Sequence, residues 1–201
     1  TVGRLLSAPE VAMVVECASP HAVRAHAEAV LAHGKDMLLM SSGALTDAGL
    51  SQRLAALVQQ RGVRLIVPSG AIGGIDAIRA VKGRLADVTL TTTKPPSGLR
   101  GAPGFREWES KKITESQIIF EGSALEAVKL FPANVNVAAT LGLAGLGAEG
   151  TRVRIVADPE AERNTHIITV EGDFGRMRVE VENLPSPRNP RTSHLAALSA
   201  R

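Results

Sequence analysis

Apolar and polar positions along this chain follow two different patterns, and the change from one to the other falls near Gly70. Before it, VAMVVEC (11–17), DMLLMSS (36–42) and VRLIVPSG (63–70) are near-continuous apolar runs, the texture of parallel strands covered by helices on both faces. Two helical segments lie between them. Ser19 offers an N-cap and Pro20 a first helical position, and Val23, Ala27, Val30 and Leu31 recur on one face until Gly34; the next helix is capped near Asp47 and stops at Gly62. Strand, helix, strand, helix, strand predicts right-handed βαβ units in a parallel sheet.

After Gly70 the pattern changes. GAIGGIDAIRAVKG reads as a glycine-rich turn and short helix, ADVTLTTTKPP as a threonine-rich strand ended by Pro95 and Pro96, and SGLRGAPGFREWESK as a loop. Strand QIIFEG, helix SALEAVKLF and the small-residue helix NVNVAATLGLAGLG follow, then strands RVRIVAD, THIITVEG and RMRVEVEN. In the last of these, Met177, Val179 and Val181 alternate with Arg176, Arg178, Glu180 and Glu182, the period of an antiparallel strand with one wet face. LPSPRNP reads as a loop, and TSHLAALSA as a closing helix capped by Thr192 or Ser193. The fold class expected is α/β joined to α+β: a partial Rossmann-type parallel sheet over 1–69, completed by a C-terminal helical segment (189–201) returning to it, and an antiparallel-sheet catalytic and dimerisation domain over 70–188.

Composition narrows the classes of function. Aromatic residues make up 2% of the chain and Tyr is absent, so the stacking platforms of single-strand nucleic-acid binders are missing. The formal charge of +3 is spread out, with Lys111-Lys112 the longest purely basic run, and no nucleic-acid partner is expected. One cysteine, Cys17, forms no internal disulfide and gives no metal-ligand spacing; it is expected to pack, and a reducing cytoplasm is the expected location. The N-terminal segment has no signal-peptide pattern. VAATLGLAGLGA (137–148) falls short of a membrane span.

GLGAEG (145–150) fits G-x-G-x-x-G letter for letter, but a phosphate cradle needs a strand before it and a helix after. Here a helical run precedes and a strand follows, so the segment reads as a helix end and loop. No other segment carries the fingerprint, and any dinucleotide-binding unit in these residues lacks its first strand and glycine-rich loop.

Several stretches taken together carry a resemblance. VPSGAIGGIDAI (67–78), TTTKPP (91–96), EGSALEAVKLFPANVNVAATLGLAGLG (121–147), VRIVADPEAERNTHIITVEGDFG (153–175) and NPRTSHLAALS (189–199) resemble the L-aspartate dehydrogenase family. The resemblance implies NAD(P)-dependent oxidation of L-aspartate to iminoaspartate, a feed into NAD biosynthesis, and a cytoplasmic homodimer without metal. It places the active-site histidine at His166, in N-x-H-x-I, and cofactor contacts at Ala71 and Asn136. Asn164, on the same side of an extended strand as His166, and Lys94, by its charge, are candidates for holding substrate carboxylates, as is Arg163.

Plainer readings stand beside these. His166 can be a strand-end histidine satisfied by backbone, SGAIGG a hinge, and Asn134 and Asn136 helix caps. His21, His26, His33 and His194 read as solvated or capping groups. As a whole, the chain can also be a non-catalytic binding or assembly module, or a relative of homoserine dehydrogenase or dihydrodipicolinate reductase.

Overall fold

The computed structural model describes residues 2–132, 136–187 and 189–201, with backbone alone for 189–191; Asn134 lies outside the described residues. The chain divides into two compact units, one reaching to Pro68 and the other running from Ser69 to Ser199.

The first unit opens with α1 (Val2–Ser7), β1 (Met13–Glu16) and α2 (Pro20–Ala32). Ser19 caps α2 by accepting from the Ala22 amide at 3.2 Å, and Val23, Ala27, Val30 and Leu31 form its buried face. β2 (Asp36–Leu39) is followed by a 3-10 turn over 42–46 and by α3 (Ala48–Arg61). Asp47 caps α3, and Gly62 ends it in the left-handed region with φ 66°. β3 (Leu65–Ile66) completes a parallel sheet of order β1-β2-β3, so the expected βαβ units are present.

The strands are shorter than their apolar runs, because buried Glu16 ends β1. Its carboxylate accepts from the amides of Ala18 (2.8 Å), Ser19 (2.9 Å) and Ser41 (3.0 Å) and from the Ser41 hydroxyl (3.0 Å). One carboxylate thus pins together the loops that leave β1 and β2. β1 is an edge strand of this sheet and Val15 on it is 52% exposed, so burial on both faces does not hold there. Cys17 is exposed as well, where packing was expected; the chain turns away from the sheet at Glu16.

The second unit contains α4 (Ile75–Ala80), β4 (Leu85–Lys94), β5 (Gln117–Ser123), α5 (Ala124–Leu130), α6 (Asn136–Ala144), α7 (Gly147–Gly150), β6 (Arg152–Ala157), β7 (Asn164–Gly172), β8 (Gly175–Asn183), β9 (Pro185–Ser186), β10 (Asn189–Ser193) and α8 (His194–Leu198). Its five-stranded sheet has the order β5-β6-β4-β7-β8. The pairs are antiparallel except β4 with β6, which run parallel, so the sheet is mixed. Ser123 and Glu126 form a capping box that starts α5. In GLGAEG, Gly145 and Leu146 follow the end of α6 and 147–150 form the single turn of α7 where a loop was expected; a strand comes next, as the order in the chain implied.

The core lies on one face of this sheet. Val88, Leu90, Val153, Ile155, Ile168 and Val170 meet Ile72, Ile75, Ile78, Leu141 and Phe131 from the elements that cover them. The expected loop 97–111 is not loose: it contains 3-10 turns over 96–98 and 103–108, and buries Leu99 and Phe105 in that core. LPSPRNP, expected as a loop, contributes to a bulged two-stranded ribbon of β9 and β10. Its prolines and short strands carry no readable alternation.

Candidate active site

The inner face of the five-stranded sheet is apolar along most of its length and polar at one end. Register defines the rungs: Val88 faces Val170, Leu90 faces Ile168, and Thr92 faces His166. On the next strand Met177, Val179, Val181 and Asn183 continue these rungs opposite Val170, Ile168, His166 and Asn164. Since Thr93 pairs with Thr165, Lys94 comes level with Asn164. Two apolar rungs are therefore followed by Thr92-His166-Val181 and Lys94-Asn164-Asn183. Strands alternate their side chains with a period of two, so these polar groups point to the same side as the core. NTHIITVEG begins with hydrogen-bonding residues because β7 enters the sheet at that polar end.

His166 and Lys94 are both buried, at 4% and 8% exposure. The His166 ring meets the Thr92 hydroxyl through Nδ1 at 3.0 Å. When Nδ1–H donates to Thr92 Oγ1, the lone pair sits on Nε2, the tautomer needed for a base. Burial lowers the His166 pKa to about 4, and the positive charge of Lys94 adds to the effect. Burial alone lowers Lys94 to about 8. At neutral pH the imidazole is neutral and the amine mostly charged, so this end of the face carries a proton acceptor beside a cation.

The other candidates surround this floor. Ala71, in the SGAIGG turn, is buried, and its carbonyl accepts from Asn183 Nδ2 at 3.0 Å. The turn lies against β8: a Cβ on Gly74, whose φ is 74°, would come 2.8 Å from Val179 Cγ2. Around Gly70 there is open space, with nothing within 4 Å of a Cβ, and a ligand can approach the backbone there.

Asn136 opens α6 and is exposed. The other end of α6 sits over the start of β4, where a Cβ on Gly145 would lie 3.4 Å from Val88 Cγ2. Arg163 is not in this group: it is half exposed and paired with Glu182 at 3.1 Å.

Sequence reasoning singled out neither Thr92 nor Asn183. A signal existed for both, because each continues an apolar alternation (Val88, Leu90, Thr92; Val179, Val181, Asn183) with a polar residue. Among the described residues no group of three or more potential metal ligands occurs. No described helix is long and apolar enough to cross a membrane.

An open glycine-rich turn held on the floor beside a neutral base fits the reactive end of a nicotinamide dinucleotide, which needs close backbone approach and a dry hydride-transfer site. Comparison with known proteins agrees. A family model described as aspartate dehydrogenase, C-terminal, matches residues 76–201, and one described as homoserine dehydrogenase, NAD binding domain, matches residues 1–68. An L-aspartate dehydrogenase of Methanosarcina barkeri is 52% identical over 203 residues, spanning 100% of this chain and 74% of its own length. One from Nitrosopumilus maritimus is 45% identical, over 98% of this chain and 73% of its own. The crystal structure of aspartate dehydrogenase from Thermotoga maritima superposes with a TM-score of 0.80 at 34% identity, covering 94% of this chain and 73% of that one. A hyperthermophilic archaeal homoserine dehydrogenase in complex with NADPH, at 10% identity and TM-score 0.56, shares the fold alone.

Proposed function

The chain belongs to the L-aspartate dehydrogenase family of NAD(P)-dependent oxidoreductases, and from that premise we propose that it converts L-aspartate to iminoaspartate, which hydrolyses to oxaloacetate. The observation that carries this reading is the buried Lys94, Thr92 and His166 at the polar end of an otherwise apolar sheet face.

Aspartate brings two carboxylates and an ammonium group. Lys94, largely charged at neutral pH, pairs with a carboxylate in a dry site, where such a contact is strong. Asn164 offers a side-chain amide on the same rung. His166 takes a proton from the substrate nitrogen at Nε2, so that the nitrogen lone pair can assist departure of the Cα hydrogen with its electron pair. Thr92 holds the imidazole in the tautomer this step requires. When bound, the dinucleotide supplies the hydride acceptor; Ala71 and Asn136 are the residues of the second unit that would hold it.

A base of pKa about 4 is weak for this task, but the field of Lys94 contributes to that value. A substrate carboxylate against Lys94 offsets the field and raises the basicity of His166 when it is needed. The non-catalytic reading has no use for this arrangement, and the homoserine dehydrogenase reading has support only over residues 1–68, whereas the unit that carries His166 matches aspartate dehydrogenase.

Release of iminoaspartate to NAD biosynthesis in the cytoplasm and assembly as a homodimer complete the proposal. The outer face of the sheet suits a second copy: its charges are largely paired within the face, as in Arg154–Glu121 at 3.0 Å and Arg178–Glu180 at 2.8 Å, leaving few uncompensated charges to desolvate.

The test is turnover of L-aspartate with NAD or NADP, followed by reduced-nicotinamide absorbance. His166→Ala is expected to lower turnover by ~10²-fold or more, as loss of a general base does, with the fold retained by circular dichroism. A folded, fully active His166→Ala protein would overturn the assignment.

A further inference from the structure

We propose that Asn183 is a positioning residue for the dinucleotide: its side-chain amide holds the Ala71 carbonyl, and with it the 70–74 turn, at the rim of the polar end. The proposal rests on the reading of Ala71 as a cofactor contact and names the group that sets its orientation.

Asn183 is 2% exposed, at the end of the β8 stripe that otherwise carries Met177, Val179 and Val181. A polar residue in that place is costly unless both halves of its amide are satisfied, and both are. Nδ2 donates to the Ala71 carbonyl at 3.0 Å. Oδ1 accepts from the Ser193 hydroxyl.

Ser193 adds a second observation. It occupies the N-cap position of α8, yet its hydroxyl makes no capping bond; it is turned to Asn183. A residue type favoured for capping is spent instead on orienting a buried amide, which fixes which end of that amide faces the turn. The turn is thus tethered twice to β8, by Asn183 at Ala71 and by the approach of Gly74 to Val179. Asn183 pairs across the strands with Asn164, two residues from His166, so the tether registers the cofactor-side turn against the strand that carries the base.

Aspartate in place of Asn183 keeps the shape and can still accept from Ser193, but has no N–H for Ala71. The experiment is fluorescence titration of the full chain with NADH and with NADPH, alongside aspartate KM and a thermal melt. For Asn183→Asp a rise of about tenfold in dinucleotide Kd is expected, the size of one lost buried hydrogen bond, with aspartate KM changed by less than about threefold. Ser193→Ala, which leaves the Ala71 bond possible but less fixed, is expected to raise Kd by a smaller factor without loss of fold.

Unchanged dinucleotide Kd in Asn183→Asp overturns the proposal, as does an equal rise in aspartate KM, which would mark a merely structural role. If Asn183→Asp does not fold, an unchanged Kd in Ser193→Ala overturns it. Ala71→Val separates the two levels. If it folds and leaves Kd unchanged, the reading of Ala71 as a cofactor contact fails; if it raises Kd while Asn183→Asp does not, only the role of Asn183 fails.

Discussion

At the level of single residues, His166 and Lys94 make the enzyme's pH behaviour predictable. Neutral His166 and charged Lys94 coexist between about pH 4 and about pH 8, so kcat/KM is expected to fall on the acid side through His166 and on the alkaline side through Lys94. In kcat the acid limb is expected at higher pH, because bound carboxylate offsets the Lys94 charge; coincident acid limbs would count against that coupling. Lys94→Met is expected to shift the acid limb of kcat/KM upward while raising aspartate KM at least ~10-fold, since a charged partner is removed from a dry site. Stability follows the same groups. The folded His166 pKa lies below its unfolded value near 6.5, so the unfolded chain binds the extra proton between about pH 4 and pH 6.5 and stability is lost as pH falls through that window. His166→Asn is therefore expected to show a smaller drop in melting temperature between pH 6.5 and pH 4 than the parent protein. The sequence drew attention to His166 through the family resemblance at N-x-H-x-I. Its partner Thr92 could be read as inward-facing from the alternation with Val88 and Leu90, but its meeting with His166 follows only from the register with β7.

Among the elements, the 70–74 turn makes the sharpest demand on sequence. Gly74 combines a left-handed φ of 74° with close approach to Val179, and either alone disfavours a side chain. Gly74→Ala is expected to cost about 1–3 kcal/mol in unfolding free energy, checked by urea titration. Adding Val179→Ala should return only the steric part; full recovery would mean that backbone strain plays no role. Strands and helices of the first unit were legible because their apolar runs, caps and glycine stops agree with one another. The ends were less so: the apolar run at 36–42 gives way to a 3-10 turn at Ser42, since Glu16 holds the preceding Ser41 through its amide and hydroxyl. The β9–β10 ribbon escaped notice because three prolines, at 185, 187 and 190, interrupt any alternation, and the parallel β4–β6 pair because period alone does not reveal strand direction.

For the molecule as a whole, two units with different sheet types were visible as the change in hydrophobic pattern near Gly70, and the units divide between Pro68 and Ser69. What sequence could not supply was the meeting of distant segments at one end of a sheet, since Thr92 comes level with His166, and Lys94 with Asn164 and Asn183, by strand pairing and not by spacing. Sedimentation equilibrium at micromolar concentration is expected to give the mass of two chains, about 42 kDa, from a chain of 21.1 kDa; a single-chain mass would remove the second copy from the account. The central position of β4 and β7 has a further consequence. Each is flanked by strands on both sides, so the amides bearing Thr92 and His166 have no free edge from which to fray, whereas the turn that faces them is tethered by one side-chain amide and one glycine contact. Deuterium should enter the turn long before it reaches the floor. Selection for a different substrate therefore has an adjustable rim to work on, above a base that stays in register.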